Sequence, residues 1–292
     1  MSDSQANGHA RVFYDLPMEV TDPAKAAAAI IPVPYDATAS WLKGTAGGPE
    51  AILDASQYVE VWDIETASEP WRRGISTLPP VAAEATPEGL AERVSAQVGR
   101  VLDRGQLPVV LGGEHSVTIG AVQAAVARHG SLSVLQIDAH ADTRESYHGS
   151  SYNHACVMAR AREWCPIVQV GIRSVDSEEV PRLEMSRVFW AHEIRRDRQD
   201  SWMDRVIALL TDEVYVTIDV DGFDPSVVPA TGTPEPGGLF WYQVNDLLAK
   251  VAAARRVVAF DVVELIPGHA PSAFTAAKLI YRFLAEIFAA RR

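Results

Sequence analysis

The sequence predicts an α/β protein: a single three-layer α/β/α domain built on a mostly parallel sheet. Three observations carry this. Short apolar runs rich in β-branched residues recur along the 292 residues, most are separated by stretches that repeat apolar residues at helical spacing, and no obvious seam divides the chain. Strand candidates fall at 28–33, 109–111, 133–137, 167–170, 187–190, 214–218 and 257–262. Helical patterns cover 87–104, 117–129, 201–210, 242–253 and 272–290, with Thr86, Ser116 and Ser272 as expected N-caps. Long irregular stretches at 35–48, 58–80, 143–153 and 222–238 read as loops, and loops of that size in a compact domain are usually functional or disordered. In such sheets ligands sit at the carboxyl ends of strands.

Composition bounds the chemistry. With 48% hydrophobic and 22% charged residues the chain reads as an ordinary globular protein, and its apolar runs are too short to span a bilayer. A formal charge of -12 disfavours nucleic acid and anionic membrane surfaces, and mildly favours a cationic ligand. The start, Met1 to Gly8, has neither the basic nor the apolar part of a secretory signal. Residues 1–20 are therefore expected as a flexible polar tail before a domain at 21–292, in a cytoplasmic protein. Cys156 and Cys165 are too few for a disulfide framework and read as reduced core residues.

Three segments carry metal-capable side chains. After the apolar run ending at Ile137, Asp138, His140 and Asp142 stand at alternate positions, which in extended chain face one side. A later run, 214–218, leads into Asp219 and Asp221; earlier, Gly112-Gly113-Glu114-His115-Ser116 follows 109–111 and presents His115 at a strand end, its glycines allowing a tight turn. Beside the two imidazoles, four converging carboxylates would repel one another and raise their own pKa values unless about two divalent ions neutralised them. An oxygen-rich set with some imidazole and no thiolate suits Mn2+. A nucleotide-loop reading of Gly112-Gly113 lacks any G-x-G-x-x-G or P-loop lysine pattern.

These motifs, Gly-Gly-Glu-His-Ser at 112–116, Asp-Ala-His-Ala-Asp at 138–142 and Asp-Val-Asp-Gly-Phe-Asp-Pro at 219–225, resemble in order and spacing those of the ureohydrolase family of arginases and agmatinases. The likeness extends from Pro32 to about Leu284 and includes 43–49 and 231–235. The resemblance implies an arginase-like catalytic domain with two Mn2+ per subunit on His115, Asp138, His140, Asp142, Asp219 and Asp221. It implies that Asp142 also orients the attacking hydroxide, that His154 shuttles the proton, and that Glu264 binds the guanidinium. Both last roles suit the residue types, since a carboxylate pairs with a planar guanidinium and His titrates near neutrality. His148 is the rival shuttle.

The loop 143–152 looks like that of agmatinases. An acidic mouth, with Glu145 as a contact, suits agmatine, which is a dication without a carboxylate; Arg144 instead suits a guanidino acid such as 4-guanidinobutyrate. The expected reaction is agmatine to putrescine and urea, within polyamine biosynthesis, by a homo-oligomer (trimer or hexamer); the alternative from another class is a catalytically silent guanidino-binding regulator. Two departures stand out. Glu114 replaces the Asp of many relatives and, not being a proposed ligand, should matter little; Ala270 stands where an acidic residue is expected, in a loop taken to border the guanidinium site.

Overall fold

A computed structural model describes residues 11–82, 84 and 86–291. In chain order the elements are α1 (Met18–Thr21), β1 (Ala28–Val33), α2 (Gly48–Ser56), β2 (Ile75–Thr77), α3 (Pro87–Asp103), β3 (Leu107–Gly112), α4 (Val117–His129), β4 (Ser133–Ile137), α5 (Val157–Ala161), β5 (Ile167–Ile172), β6 (Val188–Trp190), α6 (Ala191–Ile194), α7 (Ser201–Leu209), β7 (Glu213–Asp219), α8 (Trp241–Ala254), β8 (Arg256–Val263) and α9 (Ala270–Ala290). The strands form one sheet in the order β2-β1-β3-β8-β7-β4-β5-β6, with every pairing parallel. Both faces are covered, which is why strands such as β1 and β5 are buried along their whole length rather than at alternate positions.

Alternation along a strand divides the core into two layers. Ala28 and Ile30 of β1 join one cluster with side chains of α2, α8 and α9, whereas Ala29, Ile31 and Val33 join a second with α3 and α4. Gly120 of α4 lies so close to α3 that a Cβ there would stand 2.1 Å from the Ala91 carbonyl oxygen. No helix among the described residues is long and apolar enough to cross a membrane.

Several local expectations change. Thr86 does cap α3, accepting from Gly89 N at 3.2 Å. Ser116 stands at the N-cap of α4 but its hydroxyl goes to Glu114 instead, and Ser272 lies inside α9, which is capped by His269. The stretch 58–80 contains β2, an edge strand of three residues and too short to leave a periodic signal. Residues 1–10 lie outside the described residues, but the rest of the expected tail is not loose. Phe13 is fully buried, Tyr14 nearly so, and their backbone N–H groups donate to Thr77 Oγ1 (2.8 Å) and Ser56 Oγ (3.0 Å).

Candidate metal centre

The four central strands β3, β8, β7 and β4 lie side by side, and each delivers one part of the site from its carboxyl end. His115 follows β3, Glu264 follows β8, Asp219 closes β7 and Asp138 follows β4. The register sets Ile137 beside Ile218, so Asp138 and Asp219 leave the sheet together. Gly113 serves this by close approach rather than by turning: a Cβ there would lie 1.9 Å from the Tyr35 carbonyl oxygen. Asp142 and Glu264 both adopt positive φ (51° and 67°), a costly conformation that clusters at functional sites.

His115 Nδ1 lies 3.0 Å from Asp142 Oδ2, 3.2 Å from Asp138 Oδ2 and 3.4 Å from Asp219 Oδ2; His140 Nδ1 lies 2.9 Å from Asp221 Oδ2. Two groups of ligand atoms result, His115 with Asp138 and Asp219, and Asp138 with His140 and Asp221, each with its atoms within 4.8 Å of one another. Asp138 belongs to both. Backbone N–H groups aim the carboxylates: His140 N donates to Asp138 Oδ1 (2.6 Å), Asp221 N to Asp219 Oδ1 (2.8 Å) and Ala139 N to Asp221 Oδ1 (3.0 Å).

Buried polar groups behind the ligands hold them. Asp261 accepts from Thr118 Oγ1 (2.8 Å), Tyr215 OH (2.6 Å) and Thr217 Oγ1 (2.6 Å). With its only proton given to Asp261, Thr217 Oγ1 can only accept from His115 Nε2, at 2.9 Å. The Nδ1 lone pair of His115 is thereby left facing three carboxylates, buried and without a hydrogen-bond partner. Four acceptors around one point need a cation, and the group of Asp138, His140 and Asp221 offers a place for a second, so the residues fit a metal pair. Gln136 Nε2 supports the other side, donating to Asp138 Oδ2 at 2.7 Å, while its own carbonyl accepts from Gln169 Nε2 at 2.6 Å.

The electrostatics say the same. Burial opposes protonation of His140, but Asp221 and Asp138 push its pKa up to about 12. Burial and then the Asp138 charge push Asp142 up to about 7, and burial and then Asp221 and Asp138 hold Asp219 well above the carboxylate range. The cluster demands positive charge.

Beside it opens a cavity of about 180 Å³, narrower than a drug-sized site and suited to a slim chain end. His154 and Glu264 line it, together with Arg144, Tyr147, Asp176 and Glu179. Glu264 Oε1 accepts from His115 N at 2.7 Å, and burial followed by the Glu114 charge pushes its carboxyl up to about 8. Burial, the largest cause, pulls His154 down to about 4.

The Arginase family profile matches residues 26–288. The chain belongs to the arginase family. It is 38% identical over 278 residues to the N(1)-aminopropylagmatine ureohydrolase of Synechocystis sp., covering 91% of this chain and 90% of the relative. To the protein of the same name from Thermus thermophilus it is 41% identical, covering 86% and 87%. Among solved structures, the agmatine ureohydrolase of Thermoplasma volcanium superimposes with a TM-score of 0.87 at 30% identity, covering 96% of this chain and 95% of that one.

This arginase-family chain is thus a ureohydrolase, a hydrolase of carbon–nitrogen bonds in linear amidines, with two Asp and His groups, joined at Asp138, that could each hold a metal ion. The six ligand candidates read from the sequence converge, and His154 and Glu264 join them at the cavity wall. Glu145 does not: it is half-exposed and bound to Arg160 and Arg162. Arg144 reaches the cavity but is already engaged, with Nη2 at 3.0 Å from Asp176 and its guanidinium 4.8 Å above the Tyr147 ring. His148 and Ala270 are absent from the cavity wall; Ala270 opens α9 and lines a separate surface groove. Sequence reasoning missed Asp261, Gln136, Gln169 and Asp176. The first three had a signal, a polar residue inside an otherwise apolar strand.

Proposed function

We propose that this ureohydrolase uses two Mn2+ ions to release urea from a guanidino amine of the agmatine class. The observation that carries the reading is the charge at the cavity mouth. Arg144 is the one Lys or Arg among the described cavity-lining residues, and Asp176 at 3.0 Å with Glu179 at 3.8 Å already neutralises it. A substrate carboxylate finds no free cation there, whereas a distal ammonium meets the one negative charge that Asp176 and Glu179 hold in excess over Arg144. The names of the relatives support the same class, with agmatine yielding putrescine and its N(1)-aminopropyl derivative yielding the corresponding polyamine.

His115, Asp138, His140, Asp142, Asp219 and Asp221 would hold the ions, and oxygen-rich donors with two imidazoles support manganese. Such a pair, when bound, supplies the Lewis acidity that activates a water. Glu264 pairs with the planar guanidinium and sets its carbon beside the metal centre. Asp142 accepts a hydrogen bond from the attacking water and orients it. His154, a neutral imidazole at the cavity wall, takes up a proton and hands it to the departing amine.

A urea-release assay on Mn2+-loaded protein against agmatine, N(1)-aminopropylagmatine, arginine and 4-guanidinobutyrate tests this. The guanidino amines should lead in kcat/KM by about 100-fold, the scale of one unmatched buried charge; faster turnover of either guanidino acid overturns the substrate class. The reading places the chain in polyamine biosynthesis in the cytoplasm. It also includes a homo-oligomer, trimer or hexamer, supported by the exposed apolar side chains Tyr58, Trp62 and Ile64; a monomer by light scattering would end that part.

A further inference from the structure

Glu114, adjacent to a metal ligand yet directed away from the metal centre, holds a second hydrogen-bonded chain that leads back to the cavity. Its carboxylate accepts from Thr38 N at 2.7 Å on Oε2, and from Thr38 Oγ1 and Ser116 Oγ, both at 2.5 Å, on Oε1. Glu114 is fully buried, so these three donors are what satisfy it. The Thr38 hydroxyl has one proton, and it goes to Glu114. Thr38 Oγ1 can then only accept, and it meets the His154 backbone N–H at 3.2 Å and His154 Nδ1 at 3.1 Å.

We propose that Glu114, acting through Thr38, fixes the tautomer and orientation of His154: Nδ1 carries the proton and donates to Thr38, and Nε2 is left as the nitrogen that exchanges protons at the cavity. Thr38 and Glu114 are positioning residues, since neither lines the cavity. The inference rests on His154 serving as the proton carrier of the proposed hydrolysis. Glu114 is therefore not idle: its carboxylate accepts twice from Thr38.

Thr38→Val keeps the shape and removes the hydroxyl, and Thr38→Ser keeps the hydroxyl. With the guanidino substrate that the parent turns over best, Thr38→Val should lower kcat by about 10- to 100-fold, with KM changed less than about threefold and with unaltered metal content. Thr38→Ser should stay within about threefold of the parent. In a His154→Ala background Thr38→Val should cost nothing further, because its route to the chemistry is gone. Parent-like kcat in Thr38→Val, an undiminished loss in the His154→Ala background, or failure of Ser to restore kcat overturns the proposal. Independently of activity, 15N-histidine spectra of the full metal-free chain should show His154 protonated on Nδ1, with the two tautomers averaging in Thr38→Val; a parent His154 protonated on Nε2 also overturns it. The parent's substrate ranking tests the substrate class separately, so the two readings fail by different results.

Discussion

Thr217 donates its hydroxyl proton to Asp261 at 2.6 Å, and that donation decides which nitrogen of His115 faces the metal centre. Thr217→Val removes the acceptor for His115 Nε2 and leaves the imidazole free to present either nitrogen. Metal affinity should fall by about 10- to 100-fold, the usual scale for groups that orient a ligand. Titration of Mn2+ into the chelated variant, read calorimetrically, checks this; parent-like affinity would show that packing alone holds the ring.

Asp142→Asn keeps the volume but loses the charge proposed above to orient the attacking water. We expect kcat to drop by about 1000-fold, within the range for a lost acid–base or orienting group. Steady-state urea release measures it, and a variant within tenfold of the parent removes Asp142 from that role.

Asp176→Asn should separate the two ends of the substrate. Losing a charged partner costs on the order of 2 kcal/mol, so kcat/KM for agmatine should fall about 30-fold. The same change removes the nearer of the two carboxylates that neutralise Arg144, leaving Glu179 at 3.8 Å, and should raise the relative rate on 4-guanidinobutyrate. Equal losses on both substrates would place Asp176 outside substrate recognition.

Metal removal should destabilise the fold, and more so at higher pH. Ligand at 100 times its Kd contributes about 2.7 kcal/mol, which chelation withdraws. In the chelated chain Glu264 keeps its proton up to about 8, whereas an unfolded glutamate has lost it near 4.5, so the unfolded state binds fewer protons and stability falls as pH rises. Asp142, raised to about 7, and His140, raised from 6.5 to about 12, act in the same direction. His154, lowered to about 4, is neutral in both states above pH 6.5 and adds little slope there. Between pH 6.5 and 8 the chelated chain should lose about 1.4 kcal/mol per pH unit for each proton retained. Urea denaturation with and without chelator reads this; a stability gap that does not widen with pH contradicts it.

Much of the site was legible because strand ends are legible. Apolar runs announce the strands, and polar residues with alternate spacing just beyond them, as at 138–142 and 219–221, can only project from a carboxyl edge. The less legible parts depend on partners distant in the chain. Nothing local distinguishes Glu145, tied to Arg160 and Arg162, from Asp176 at the cavity, and Thr38 lies 76 residues from the carboxylate that governs it. Residues 1–20 read as a loose tail because the chain starts polar; Phe13 and Tyr14 are buried instead by packing into the core with residues distant in the chain, such as Ile52, Ile75 and Tyr281.

By itself the sequence determined the alternation of strands and helices, the parallel sheet and the six candidate ligand residues, because periodicity and residue chemistry are local properties. Tertiary structure alone decided which strands became neighbours, and with that the convergence of β3, β8, β7 and β4 on one centre. It also decided the protonated nitrogen of His115 and the neutralisation of Arg144, because a hydroxyl with one proton or a cation with two carboxylates is resolved only when all partners are in place.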